Sequence, residues 1–173
     1  MKKIALIYWP KKGNTEKAAL KIAGKFDENT MDVFAITAVE MKKLAAYDAL
    51  IIGGSTTGAD NWEQAHKTRW ADFFKGLESA GIKGKPYAMF GLGDQVLYPN
   101  HFVDGMAEIK SHLDKCGAKL VGLWPAKGYE FKESKALVNG KFLGLALDME
   151  QQKEMTDQRI DQWVAQIRKE LGI

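Results

Sequence analysis

The sequence predicts an α/β protein, a doubly wound parallel sheet with helices on both faces, and three observations carry that prediction. Short runs recur that are apolar on consecutive rather than alternate residues, as strands are when helices cover both faces of their sheet. Stretches with a helical period separate those runs. The two kinds of segment alternate along the chain, which is the pattern of βαβ units joined by right-handed crossovers.

The first run, Ile4 to Trp9, lies between Lys2-Lys3 and Pro10-Lys11-Lys12. Thr15 to Phe26 follows as a helix, with Ala18, Ala19, Ile22, Ala23 and Phe26 on one face. Asp32 to Ile36 is a weaker strand and Ala49 to Ile52 a strong one. Trp70, Phe73, Phe74 and Leu77 then repeat at helical spacing. Tyr87 to Phe90 is the fourth strand, and Phe102, Met106, Ile109 and Leu113 mark the helix after it. Leu120 to Trp124 is the fifth strand. The last helix runs from Thr156, a suitable N-cap, through Ile160, Trp163, Val164, Ile167 and Leu171. Trp70 and Trp163 lie on apolar helix faces and are expected in the core.

Composition narrows the function classes. With 173 residues, 46% hydrophobic and 27% charged, the chain fits one soluble domain spanning 1–173. It is too apolar for disorder, and no run approaches the roughly 18 residues that cross a bilayer. The run at Ile4 is too short for a secretory leader and lacks a cleavage site. Cys116 is the only cysteine, which excludes an internal disulfide and points to a reduced, cytoplasmic setting. It is expected to pack as a small apolar residue. His66, His101 and His112 are too scattered for a metal site. There is no G-x-S-x-G elbow, and Lys12-Gly13-Asn14 lacks the ending of a Walker loop. The net charge of +3 is interspersed rather than blocked, so nucleic acid is not an expected partner.

In sheets of this kind, ligands bind beyond the carboxyl ends of the strands, where strand order reverses. Three runs end there in unusual loops: Trp9-Pro10-Lys11-Lys12-Gly13-Asn14-Thr15, Gly53-Gly54-Ser55-Thr56-Thr57-Gly58 and Gly91-Leu92-Gly93-Asp94-Gln95. Glycines there permit close backbone approach, and the first loop opens a helix whose N-terminus attracts anions. These three loops, in this order, resemble those of the flavodoxins. Phe90-Gly91-Leu92-Gly93-Asp94-Gln95 followed by Tyr98 is similar to the loop that lies against the isoalloxazine ring in that family. Trp124-Pro125, Gly128-Tyr129-Glu130-Phe131, Ser134-Lys135-Ala136-Leu137 and Phe142 to Asp148 resemble the long-chain subgroup. There a segment of roughly 20 residues, long for a compact domain, interrupts the last strand. Here that insert is expected at about 125–141, and the resemblance covers essentially the whole chain.

The resemblance implies a five-stranded parallel sheet in the order 2-1-3-4-5, for which flavodoxin is itself a standing example. It implies a low-potential one-electron carrier rather than an enzyme, holding FMN noncovalently and shuttling between a reductase and acceptor proteins. No oligomer signal is present, so a monomer is expected. The FMN phosphate would lie on Pro10, Lys11, Lys12, Gly13, Asn14 and Thr15. Ser55, Thr56, Thr57 and Gly58 would edge the ring, with the Gly58 peptide flipping so that its carbonyl accepts from N5–H of the reduced flavin. Gly91, Leu92, Gly93 and the backbone around Asp94 would meet the pyrimidine edge. Tyr98 would stack on one ring face, Asp148 would lie near the ribityl chain, and His101 would lie close enough to tune the flavin.

Three departures from the family stand out. Trp9 replaces a usual glycine, and Pro10 and Lys12 replace hydroxyl residues, so that Gly13 and Thr15 are the good matches. Pro10 lacks an N–H and removes one phosphate contact; Lys11 and Lys12 either offset it by charge-assisted bonds or, for one of them, face solvent. Flavodoxins commonly carry an aromatic where Thr57 stands. The following segment is longer here, and Trp62 either supplies that second stack or packs the loop onto the domain. Finally, flavodoxins are usually acidic and this chain is basic, which makes the couple of the fully reduced flavin less negative and disfavours basic partner faces. A local acidic rim of Asp60, Glu63, Asp94 and Asp104 is the expectation that survives. Two alternatives remain: an FMN-dependent NAD(P)H quinone or nitro reductase, and a flavodoxin-like binding module that has lost FMN.

Overall fold

β1 (Ile4–Trp9) is paired on both sides, which is why every residue from Ile4 to Tyr8 is buried. β2 (Met31–Ala35) runs parallel to it from Ile4 opposite Met31 to Tyr8 opposite Ala35. β3 (Ala49–Ser55) lies parallel on the other side, and β4 (Pro86–Leu92) continues beyond β3 with Leu50 opposite Tyr87. The chain then gives β5 (Lys119–Leu120), β6 (Trp124–Pro125), β7 (Leu137–Val138), β8 (Lys141–Phe142) and β9 (Leu145–Leu147). β5 pairs with the start of β4 and β9 with its end, while β6, β8 and β7 form a separate antiparallel sheet. The main sheet has the order β2-β1-β3-β4-β5, with β9 also on β4. The computed structural model describes residues 2–55 and 63–173, and in the second span side chains from residue 69 onward.

Among the described residues four α-helices flank the sheet: α1 (Asn14–Ala23), α2 (Glu63–Leu77), α3 (Gly105–Lys115) and α4 (Thr156–Leu171). α1 and α4 lie side by side, joined at the surface by Lys21–Asp157 and Lys25–Asp161 ion pairs of 2.7 and 2.6 Å. α2 and α3 share the other face, where the rings of Phe74 and His112 stack at 3.9 Å. Trp163, Phe73, Phe90, Phe102 and Phe142 are fully buried, and Trp70 is buried too, as the helix faces predict. Truncating any one of the fully buried rings to alanine costs about 3–5 kcal/mol.

The fifth strand differs from the sequence reading. Leu120 to Trp124 is not one strand, because Gly122, at φ 80, turns the chain away from β4. Its N–H donates to the Glu170 carboxylate, and its carbonyl accepts from the Trp163 indole at 2.9 Å, so α4 takes the bonds a strand neighbour would need. Trp124 then joins the small sheet opposite Phe142. Thr156 is also not an N-cap. It is the first residue of α4, and its buried hydroxyl has no hydrogen-bond partner among the described residues. Cys116 follows the last residue of α3 half-buried, and burial pushes its thiol pKa up.

Gly53 and Gly54 require a second correction. Both belong to β3 rather than to the loop after it. A Cβ on Gly53 would fall 1.9 Å from the Phe90 ring, and one on Gly54 would fall 3.0 Å from Trp70. These glycines admit core aromatics, and their backbone is engaged in pairing with β1 and β4.

Candidate functional site

Between the end of β1 and the start of α1 lie Pro10, Lys11, Lys12 and Gly13. Lys12 (φ 62) and Gly13 (φ 95) both adopt positive φ. The left-handed region costs an L residue roughly 1–2 kcal/mol, so Lys12 needs local support. Its N–H donates to the Glu16 carboxylate at 3.1 Å, and Glu16 also accepts from the hydroxyl of buried Tyr8. The Tyr8 bond, then the Lys12 N–H, holds the Glu16 carboxyl below its usual range, with Lys11 and Lys12 adding to the effect by charge. Burial, reinforced by Glu16, pushes the Tyr8 phenol up to about 12.

α1 starts without a side-chain cap, since Gly13 has none to offer. Its first-turn N–H groups and the positive end of its dipole are therefore left for an external acceptor. Lys11, Lys12 and Gly13 are exposed around that end and Thr15 is buried within it. Asn14 is turned aside, its amide donating to Glu150 at 2.7 Å. An uncapped N-terminus ringed by two exposed cations and a hydroxyl residue suits a phosphate.

The second part of the site is built by two buried carboxylates. Asp148, 1% exposed, accepts N–H bonds from Gln95 (3.0 Å), Glu150 (3.1 Å) and Gln151 (2.9 Å). Asp94, also buried, accepts from the N–H groups of Val96 and Leu97, both at 2.9 Å, and from the Gln151 side chain at 3.2 Å. Each buried charge is thus stabilised by three N–H donors. Together they pin the 93–98 loop to the turn after β9, and the Gly93 N–H adds a bond to the Leu147 carbonyl at 3.0 Å. The loop is thereby held with Val96 (63%), Leu97 (70%) and Tyr98 (43%) exposed. Glu130, from the segment between β5 and β9, donates its N–H to the Gln95 side chain and braces the loop from behind.

The remaining sequence-predicted residues are distributed as follows. Gly91 and Leu92 lie inside β4 and are buried; a Cβ on Gly91 would meet Met106 at 3.0 Å. Ser55 ends β3, and α3 starts so near that a Cβ on Gly105 would lie 2.8 Å from the Ser55 carbonyl oxygen. Exposed His101 turns to Asp104 at 3.0 Å, whose other oxygen accepts the Lys135 N–H at 2.7 Å. Thr56, Thr57, Gly58, Asp60 and Trp62 lie outside the described residues, as does the side chain of Glu63. The acidic rim does not form from its other two members. Asp94 is buried and bonded to its own loop, and Asp104 is bonded to His101 and Lys135.

Sequence reasoning missed Tyr8, Glu16, Gln95 and Gln151. For Glu16 a signal existed. It is the third residue of α1, where a glutamate reaches back to a backbone N–H in a capping box, here one residue further than usual. Among the described residues no cluster of His, Cys, Asp or Glu could hold a metal, and no helix is long and apolar enough to cross a membrane.

The flavodoxin family model matches this sequence over residues 6–163. The chain belongs to the flavodoxin family. Among its relatives, the flavodoxin of Nostoc sp. is 37% identical over 172 residues, covering 99% of each chain. Flavodoxin 1 of Escherichia coli is 38% identical over 163 residues, 93% of this chain and 90% of that one. In three dimensions the chain is similar to Fusobacterium nucleatum flavodoxin bound to flavin mononucleotide. The TM-score is 0.84 at 29% identity, covering 98% of this chain and 99% of that one. The strand order and flanking helices are those of the flavodoxin fold. Flavodoxins are electron-transfer proteins rather than enzymes, so the reductase alternative is not favoured.

Proposed function

We propose that this chain is a low-potential one-electron carrier that holds FMN noncovalently at the carboxyl edge of its sheet. The observation that carries the reading is the uncapped start of α1, set beside exposed Lys11 and Lys12 at the crevice between β1 and β3 where strand order reverses. FMN, when bound, supplies the redox centre. The chain's own residues do the rest. The N–H groups of the α1 first turn, the Thr15 hydroxyl and the two lysines hold the phosphate. Gly93, Asp94 and Tyr98 would offer a pinned backbone and an aromatic face to the ring, with Ser55 at the end of the neighbouring strand. Asp148 serves by fixing Gln95 rather than by any acid or base chemistry.

In this reading residues 1–173 form one domain, with 125–141 as the long-chain insert. Support comes from β5 and β9, which flank the small sheet in sequence and both pair with β4. The carrier works as a cytoplasmic monomer, exchanging electrons with a reductase and with acceptor proteins. The visible spectrum of the purified protein, followed by titration of the apoprotein with FMN and riboflavin, tests the reading. Flavin absorbance with FMN bound much more tightly than riboflavin is expected. Failure to take up either flavin would overturn it.

A further inference from the structure

We infer that Tyr8 and Glu16 are positioning residues for the phosphate loop, holding Lys12 in its left-handed conformation and so setting the preference for FMN over riboflavin. The inference rests on the FMN reading above. Two successive positive-φ residues, Lys12 and Gly13, turn the chain from β1 into α1. Glycine adopts that conformation freely; Lys12 carries a Cβ and does not. What holds it is the Lys12 N–H bond to Glu16, and what holds Glu16 is the Tyr8 hydroxyl, anchored on a buried strand residue. The relay thus runs from the sheet, through one phenol and one carboxylate, to the peptide that aims the loop. With the Lys12 N–H taken by Glu16, the N–H groups that follow it and the exposed Lys12 side chain are left for the phosphate.

The arrangement has an opposing term, because Glu16 adds a negative charge beside the place where a phosphate would sit. Substitutions separate the two. Glu16→Ala removes both support and charge; Glu16→Gln removes the charge but can keep its carbonyl oxygen on the Lys12 N–H while its NH2 donates to the Tyr8 hydroxyl; and Tyr8→Phe removes only the anchor. Lys12→Gly, made both alone and with Glu16→Ala, removes the Lys12 side chain equally in the two proteins and supplies a residue that needs no support. Flavin fluorescence quenching would measure FMN and riboflavin affinity for each apoprotein. Positioning predicts that E16A weakens FMN binding roughly tenfold, about 1.4 kcal/mol. Y8F should weaken it severalfold, E16Q should retain parental affinity or exceed it, and E16A should change affinity little in the K12G background. Riboflavin, having no phosphate, should bind all of them alike and so reports on folding.

An E16A protein that binds FMN as tightly as the parent overturns the inference, leaving Glu16 as a source of repulsion. Parallel loss of riboflavin binding, or an E16A cost as large in the K12G background as in the parent, also overturns it, since the effect would then not belong to the conformation of residue 12. A parent chain that binds neither flavin overturns the FMN reading itself, a distinct result.

Discussion

Asp148 lies where fold and site are inseparable, and its two oxygens can be tested one at a time. Oδ2 accepts the Gln95 N–H, while Oδ1 accepts those of Glu150 and Gln151. In Asp148→Asn, the amide oxygen keeps the Oδ1 pair and the NH2 faces the Gln95 N–H, so one bond to a buried charge is lost and two donors oppose each other. Bonds to charged groups contribute about 1.5–3 kcal/mol, so D148N should lose about 2 kcal/mol. For a chain of this size that is a fall of roughly 4–8 °C in Tm. Asp148→Ala loses all three bonds. Glu150 and Gln151 lie at the surface and their N–H groups regain water, so the total should reach about 4 kcal/mol rather than the full sum. Urea denaturation of the apoproteins would measure both. If D148N lost less than about 0.5 kcal/mol while D148A lost the full amount, the Gln95 bond would not be what pins the loop.

Two further outcomes follow from the core and from the tyrosines. Gly53→Ala drives a Cβ into the Phe90 ring, whereas Gly91→Ala meets the flexible Met106 side chain, so thermal melts should show G53A losing about 3 kcal/mol and G91A less than about 1. Equal melting temperatures would contradict the packing described. Tyr8, Tyr47 and Tyr129 are each pushed up to about 12, first by burial, with Glu16 and Asp32 adding to the effect at Tyr8 and Tyr47. A raised folded-state pKa gives stability that is complete below the unfolded value of about 10 and is lost as pH rises through 12. In a Tyr98→Phe background, which removes the exposed phenol, phenolate absorbance should therefore rise together with loss of structure between those values, and a rise with structure intact would refute it.

Much of the fold was legible because β1, β3 and β4 are covered on both faces, and a short, continuous apolar run bounded by turn residues suits little besides such a strand. The edge was not. β5 and β9 come from distant parts of the chain yet pair with one strand, and no local pattern announces that Leu145 rather than Val121 continues the sheet. Phe102 has the apolar character and the spacing of a helical residue, yet it is buried ahead of α3, packed on Phe131 and Phe142. At the candidate site, the glycine clusters did not announce their own purpose, since Gly53, Gly54 and Gly91 make room for core side chains. Tyr8 was hidden for the opposite reason: in an apolar run a tyrosine counts as core, and its hydroxyl goes unread until Glu16 is seen opposite it.

The bond from Asp148 to Gln95 spans 53 residues, and that separation gives the protein a birth order. Chains leave the ribosome N-terminus first, at about 5–20 residues per second. The loop between β1 and α1, its Tyr8–Glu16 clasp and the strands on either side of β1 are complete before Gln95 is made. The partner that pins the 93–98 loop follows roughly 3–10 seconds later at that rate. A nascent chain therefore carries the β1–α1 turn for seconds before the 93–98 loop can be pinned beside it.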